Sequence, residues 1–106
     1  MAGMESLHFE FDGGLAPAAF PPTLVGVVAS GNLEVLVEPA SGTRCRIDVD
    51  TSARGFGAIW EAVLRDFHSR HGVAGIAVSI HDMGATPAVV SLRLDQAMSA
   101  ISGAAP

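Results

Sequence analysis

The chain has 106 residues, of which 49% are hydrophobic and 16% charged, and its formal net charge is -5. This balance is typical of one folded domain with its own core and excludes a disordered chain. Six arginines and no lysine exclude the clustered basic face of a nucleic-acid-binding protein, and also carriers and enzymes that attach their group to lysine. The longest apolar stretch, Leu24 to Ala29, is too short to cross a membrane.

Four strands are predicted in the first half of the chain. Leu7 to Phe11 and Arg44 to Asp50 alternate apolar and polar residues, which predicts strands with one buried face. The valine-rich run from Leu24 to Ala29 predicts a strand buried on both faces. Leu33 to Glu38 alternates again. Glycines and prolines at residues 12–22 predict a loop after the first strand.

The connection between the second and third strands contains the residue of greatest interest, Ser30. Gly31-Asn32 is a two-residue hairpin signal, since both residue types tolerate a positive φ. Ser30 then lies just before the turn, or in the turn if the register slips by one residue. Either position predicts an exposed hydroxyl at the tip of the hairpin.

A helix, a fifth strand and a second helix follow. Thr51 or Ser52 is the predicted cap of the first helix, and Gly72 its predicted stop. Gly75 to His81 predicts the fifth strand, and Thr86 with Pro87 predicts the start of the second helix. The predicted buried stripes are Phe56, Ile59 or Trp60, Val63, Leu64 and Phe67, then Val90, Leu94, Ala97, Met98 and Ile101.

The order β-β-β-β-α-β-α predicts an α+β fold. We expect a mostly antiparallel sheet of about five strands with two helices packed on one face. Residues 1–106 are expected to form a single domain, with a flexible tail at 102–106.

Other candidate sites favour structural roles. His68 and His71 lie near a helix end beside Asp66, but they lack the further ligands of a structural zinc site. His81 and Asp82 are neighbours on a strand and point to opposite faces, so a strand end with an Asp-initiated turn is favoured over an oriented base.

The remaining candidates are a thiol, an indole and a hydroxyl. Cys45 faces inward, and a single cysteine without a signal peptide favours the cytoplasm. Trp60 is expected in the core, with a partner contact as the alternative. Ser30 lacks the Gly-x-Ser-x-Gly elbow of a hydrolase. No catalytic residue and no metal ligand is therefore predicted, and turn chemistry is the ordinary role of a serine at this position.

Three segments resemble the malonate decarboxylase acyl carrier (delta) subunit family. They are residues 24–39 (LVGVVASGNLEVLVEP), 80–97 (IHDMGATPAVVSLRLDQA) and 5–11 (ESLHFEF). The resemblance implies that Ser30 carries 2'-(5''-phosphoribosyl)-3'-dephospho-coenzyme A through a phosphodiester, and that the thiol of this covalently bound group holds acetyl or malonyl. It implies a non-catalytic carrier of malonate metabolism rather than an enzyme.

The same resemblance implies the partners. They are the malonate/acetate carrier transferase subunit, the decarboxylase subunits, a malonyl transferase and the prosthetic-group transferase, without nucleic acid or membrane. An acidic patch formed by Glu34, Glu38, Asp48 and Asp50 is a candidate docking surface, with a solvated sheet face as the alternative.

Three other functions stay open at this point. One is an unmodified structural or assembly subunit of an enzyme complex, which the low charge and the apolar helices favour. Another is the related acyl carrier subunit of citrate lyase. A small independent hydrolase is the third, and it would require turnover by the isolated chain.

Overall fold

A computed structural model describes residues 4–26 and 32–102 of the chain. These residues form five strands and two helices in the predicted order, which confirms the α+β class. The strands are β1 (Glu5–Asp12), β2 (Thr23–Val25), β3 (Leu33–Pro39), β4 (Arg44–Thr51) and β5 (Ile76–Asp82), and the helices are α1 (Gly57–His71) and α2 (Pro87–Ile101).

The strands form one mixed sheet in the order β1-β4-β5-β3-β2. β4 and β5 run parallel, because the crossover through α1 returns the chain to the same end of the sheet before β5 begins. The other three neighbouring pairs are antiparallel. The prediction of a mostly antiparallel sheet of about five strands is therefore confirmed.

The two faces of the sheet differ sharply in exposure. In β4, Cys45, Ile47 and Val49 are buried, whereas Arg44 and Arg46 are exposed. Both helices pack on the buried face, where their apolar side chains complete one continuous core. The buried helix residues are Trp60, Leu64 and Phe67 of α1, and Val90, Leu94, Ala97, Met98 and Ile101 of α2.

The start of α1 differs from the prediction. The helix begins at Gly57, and its N-cap residue Phe56 makes no side-chain capping bond, so the predicted cap at Thr51 or Ser52 is wrong. Thr51 is instead the last residue of β4, and its hydroxyl donates to Asp82 Oδ2. Phe56 precedes the helix and is 47% exposed, so it does not belong to the buried stripe.

The other helix signals are confirmed. Gly72 ends α1 with a φ of 56°, and its N–H donates to the carbonyl of His68. The hydroxyl of Thr86 accepts a hydrogen bond from the N–H of Val89, and Pro87 is the first residue of α2. Over the described residues, no helix is long and apolar enough to cross a membrane.

The second strand is shorter than predicted where it is described. Thr23–Val25 pair with β3 at the edge of the sheet, and residues 27–29 of the predicted strand lie outside the described residues. Leu24 is 56% exposed, so the prediction of burial on both faces is wrong for this residue. The reason is that both helices cover the same face of the sheet, and Leu24 points to the other face.

Residues 13–22 lie outside the five strands and are tied to the start of β5. The N–H of Leu15 donates to the Gly72 carbonyl at 2.8 Å, and the N–H of Ala74 donates to the Leu15 carbonyl at 3.1 Å. At the other terminus Ser102 is the C-cap of α2. The rest of the predicted tail, 103–106, lies outside the described residues.

Candidate functional site

Ser30 lies outside the described residues, but both flanks of its segment are described. The last described pair of β2 and β3 joins Val25 to Val35, and Ser30 is five residues from each of them along the chain. A two-residue turn at Gly31-Asn32 with an unbroken ladder would instead place Val25 opposite Glu38. The observed pairing with Val35 turns Val25 towards the core, and Gly31 of the predicted turn lies outside the described residues.

The C-terminal flank of this segment is anchored at the end of the sheet. The N–H of Met83 donates to the carbonyl of Asn32 at 2.8 Å, and Asn32 itself has a φ of 57°. The next residue, Leu33, is fully buried and is paired with Asp82 across the ladder. The chain that follows Ser30 therefore enters a fixed part of the fold within three residues.

Asp82 is a buried carboxylate that organises this end of the sheet. It is 2% exposed, and its Oδ2 accepts a hydrogen bond from the Thr51 hydroxyl at 2.8 Å. Its Oδ1 accepts from the N–H groups of Gly84 at 3.2 Å and Ala85 at 2.8 Å. The predicted Asp-initiated turn is confirmed, and the buried bond to Thr51 was not predicted.

The N-terminal flank is Gly26, which lies against Arg93 of α2. Gly26 has a φ of 80°, and a Cβ built on it would lie 2.8 Å from both Arg93 Nε and the Leu33 carbonyl oxygen. Arg93 Nε is buried and has no hydrogen-bond partner among the described residues. Its Nη1 donates to Gln96 Oε1 at 3.1 Å. Neither residue was singled out from the sequence, where an isolated arginine on a helix carries no signal.

An open apolar groove of about 280 Å³ lies between α1 and the turn that follows β5. Its lining includes Ile59, Trp60 and Val90, together with the buried Asp82. Trp60 is 6% exposed, so the expectation that it belongs to the core is confirmed. The groove therefore opens at the end of the sheet where Asn32 is anchored.

The sheet face opposite the helices, called here the open face, is acidic. The candidate residues Glu34, Glu38, Asp48 and Asp50 all lie on it, as the strand registers require. Among the described residues of this face, the carboxylates are those of Glu10, Asp12, Glu34, Glu38, Asp48 and Asp50, the guanidinium groups are those of Arg44 and Arg46, and the imidazoles are those of His8 and His81. Carboxylates outnumber arginines, so the open face favours a basic partner surface.

His8 on the open face gives a pH-dependent prediction. Hydrogen bonds to Glu10, at 2.7 Å from Nε2, and to Asp48, at 2.6 Å from Nδ1, raise the pKa of His8 above its ordinary 6.5. Both ring nitrogens donate only when the ring is protonated. His8 therefore stabilises the fold fully below pH 6.5, and this contribution is lost as the pH rises through its folded-state pKa.

We expect His8→Gln to lower the free energy of unfolding below pH 6.5 and to have no effect at alkaline pH. The difference in the free energy of unfolding between the wild type and His8→Gln should stay below about 1 kcal/mol, because His8 and its carboxylate partners are largely exposed to solvent. Urea unfolding as a function of pH measures it, and an NMR titration of the ring gives the pKa directly. A His8 pKa below 6.5 would contradict the assignment.

The remaining candidate residues have structural partners. His71 Nε2 lies 2.8 Å from Asp95 Oδ1, and His68 Nε2 lies 2.9 Å from the Gly13 carbonyl oxygen. Within the described ranges, no group of three or more His, Cys, Asp or Glu side chains is placed to hold a metal ion. Cys45 is buried, which raises the pKa of its thiol to about 11 and keeps it unreactive.

The fold described above is shared with a solved protein. The structure matches a chain in the crystal structure of a Pseudomonas malonate decarboxylase hetero-tetramer in complex with malonate, with a TM-score of 0.75 and 44% sequence identity. The match covers 88% of this chain and 94% of that chain.

Sequence comparison gives the family. Residues 21–101 match the family model described as ACP, the malonate decarboxylase delta subunit (MdcD). The chain is 64% identical over 100 residues to the malonate decarboxylase acyl carrier protein of Burkholderia cepacia, covering 94% of this chain and 93% of the relative. Identity to that of Xanthomonas axonopodis pv. citri (strain 306) is 59% over 104 residues, covering 95% and 98%. The chain belongs to the malonate decarboxylase acyl carrier (delta) subunit family, which confirms the resemblance seen in the sequence.

Proposed function

We propose that the chain is the non-catalytic acyl carrier of a malonate decarboxylase and that Ser30 carries its prosthetic group through a phosphodiester. The observation that carries the proposal is the family match over residues 21–101, a range that includes Ser30. The fold supports it, since both flanks of the Ser30 segment are fixed to one rigid end of the sheet. The whole of residues 1–106 then acts as a single carrier domain.

The residues beside this segment fit an anionic group. Arg93 places a guanidinium against Gly26, four residues before Ser30, and its buried Nε has no hydrogen-bond partner in the described part of the chain. The proposed group is 2'-(5''-phosphoribosyl)-3'-dephospho-coenzyme A, whose phosphates are anions that guanidinium groups bind well. When bound, this group supplies a thiol on which malonyl is held as a thioester, the form in which it can lose carbon dioxide.

The role proposed for the protein is to support and deliver the tethered group. A rigid sheet end limits the volume that the arm explores, and tethering raises the effective concentration of the acyl group to ~mM for short flexible linkers. Asp82 and Thr51 hold the turn that anchors Asn32, so the attachment segment keeps one fixed point while the arm moves.

The proposed partners are the enzymes that load and process the arm. They are a malonate/acetate carrier transferase, the decarboxylase subunits, a malonyl transferase and the prosthetic-group transferase. The acidic open face, with Glu34, Glu38, Asp48 and Asp50, is proposed to meet basic surfaces on one or more of them. The cytoplasm is the proposed compartment, consistent with the one cysteine being a buried free thiol.

Activity of the reconstituted complex tests the proposal. We expect Ser30→Ala to reduce malonate decarboxylation to the background of a preparation that lacks the chain, because no hydroxyl remains to carry the group. Ser69→Ala is the matched control, since Ser69 is an exposed serine on α1. It should leave activity unchanged.

The second readout is labelling with radioactive malonate. Label bound to the wild-type chain should be released by hydroxylamine, as a thioester requires, and Ser30→Ala should bind none. Full decarboxylation by the Ser30→Ala complex would favour an unmodified assembly subunit and would reject the carrier function.

A further inference from the structure

Large apolar side chains are exposed around the groove between α1 and the turn after β5. Phe56 and Ile59 line the groove, and Met83 lies in the turn itself. All three are 46–47% exposed, and they are three of the seven large apolar side chains that are exposed among the described residues. Single exposed apolar residues are ordinary, but a group of them at one groove marks a surface that another molecule covers.

The size of the groove favours a protein side chain over a small ligand as its occupant. Its volume of about 280 Å³ is at the lower limit of small-molecule sites, which span roughly 300–1,000 Å³. The lining is apolar apart from Asp82. Because the carboxylate of Asp82 already accepts three hydrogen bonds within the fold, the groove is suited to an apolar side chain.

The charges next to the groove are mostly acidic. Glu34, Asp50 and His81 lie side by side on the open face, one residue in from this end of the sheet. The His81 ring nitrogens are 3.8 Å from Glu34 Oε1 and 3.6 Å from Asp50 Oδ2. Glu5 at the start of β1 adds a third carboxylate, and Arg54 in the loop before α1 is the opposing charge. The charges therefore favour a partner surface that carries Lys or Arg.

We propose that the groove is the docking site for a partner enzyme subunit, which inserts one apolar side chain into it and flanks that side chain with Lys or Arg. The inference rests on the proposed function, because a carrier must dock with the subunits that it serves. The basic side chains meet Glu34 and Asp50. The Asn32 carbonyl accepts a hydrogen bond from Met83 of the same turn, so the docked subunit lies beside the C-terminal flank of the attachment segment.

The inference is tested by binding of the unloaded chain to the other subunits of the complex, purified together without the carrier. We expect Ile59→Ser to weaken this binding by about 10- to 100-fold, the effect of removing a central apolar contact. Phe56→Ser should weaken it as well. Phe56 is the N-cap of α1, where serine is favourable, so unfolding is not expected to cause this loss. Leu92→Ser is the matched control, because Leu92 is an exposed leucine of α2 outside the groove, and it should bind like the wild type.

Salt dependence tests the charged part of the docking site. Glu34→Gln should lower the association rate and make that rate less sensitive to salt. Glu38→Gln removes a carboxylate from the other end of the same strand and face, and its effect should be smaller. Equal effects of the two substitutions would overturn the placement of the basic side chains at this end of the sheet.

Fluorine NMR separates the alternative occupants of the groove. Trp60 is the single tryptophan of the chain and lines the groove, so fluorine-labelled tryptophan gives one resonance there. This resonance should shift when the other subunits are added, but not on loading and not with the concentration of the chain alone. A shift on loading would assign the groove to the chain's own arm, and a shift with concentration would assign it to a second copy.

Either of these shifts overturns the inference. It is also overturned by a wild type that does not bind the other subunits, or by binding that Ile59→Ser and Phe56→Ser leave unchanged. The proposed function fails on a different observation, which is the absence of added mass on the wild-type chain after co-expression with the prosthetic-group transferase.

Discussion

Asp82→Ala is expected to lower the free energy of unfolding by about 3 kcal/mol. The substitution removes three hydrogen bonds at a residue that is 2% exposed. It leaves the hydroxyl of Thr51 and the N–H groups of Gly84 and Ala85 without their acceptor. Urea unfolding of the unloaded chain measures the loss, and amide hydrogen exchange at Met83 reports whether the anchor of Asn32 loosens with it.

Two variants control the Asp82 prediction. Asp48→Ala removes an exposed carboxylate from the same sheet and should cost less than about 1 kcal/mol. Asp82→Asn keeps an oxygen acceptor for the N–H groups of Gly84 and Ala85. Its loss of stability should therefore fall between those of Asp82→Ala and Asp48→Ala. Equal losses for Asp82→Ala and Asp48→Ala would mean that the buried carboxylate does not organise this end of the sheet.

Gly26→Ala is the second substitution with a large expected effect, a loss of about 3 kcal/mol. A positive φ of 80° disfavours any side chain at this position, and the added Cβ would lie 2.8 Å from the backbone oxygen of Leu33. It would also displace Arg93 Nε. The loss is therefore the sum of backbone strain and close contact.

Gly55 separates these two contributions. Its φ is 87°, close to that of Gly26, but no atom lies within 4 Å of a Cβ built on it. Gly55→Ala should cost about 1 kcal/mol from strain alone. If Gly26→Ala and Gly55→Ala lose the same stability, the close approach of Arg93 and Leu33 to Gly26 does not contribute to the loss.

Much of the fold could be predicted from local patterns. The alternation from Arg44 to Asp50 and the signals at Gly72, Thr86 and Pro87 are each set by neighbouring residues, and the structure confirms them. The antiparallel character of the sheet was predicted from short connections, but of the described strands only β2 and β3 are both consecutive in the chain and paired, whereas β1 pairs with β4 and β3 with β5. Family resemblance, rather than any physical pattern, pointed to Ser30.

The frame around the attachment segment could not be predicted in the same way. Thr51 and Asp82 are 31 residues apart in sequence, and only the parallel pairing of β4 with β5 brings them together. Arg93 and Gly26 meet only because α2 packs beside β2. The pairing of Val25 with Val35 turns Val25 towards the core, which a local turn signal does not decide, and Gly31 of the predicted turn lies outside the described residues.

The central claim is that one hydroxyl, that of Ser30, is the attachment point of the prosthetic group. Intact mass of the chain after co-expression with the prosthetic-group transferase tests this most directly, with peptide mapping to locate the added group. We predict that the wild type gains the mass of one group, located on Ser30, and that Ser30→Ala gains none. A wild type without added mass, or the same gain on Ser30→Ala, would contradict the claim.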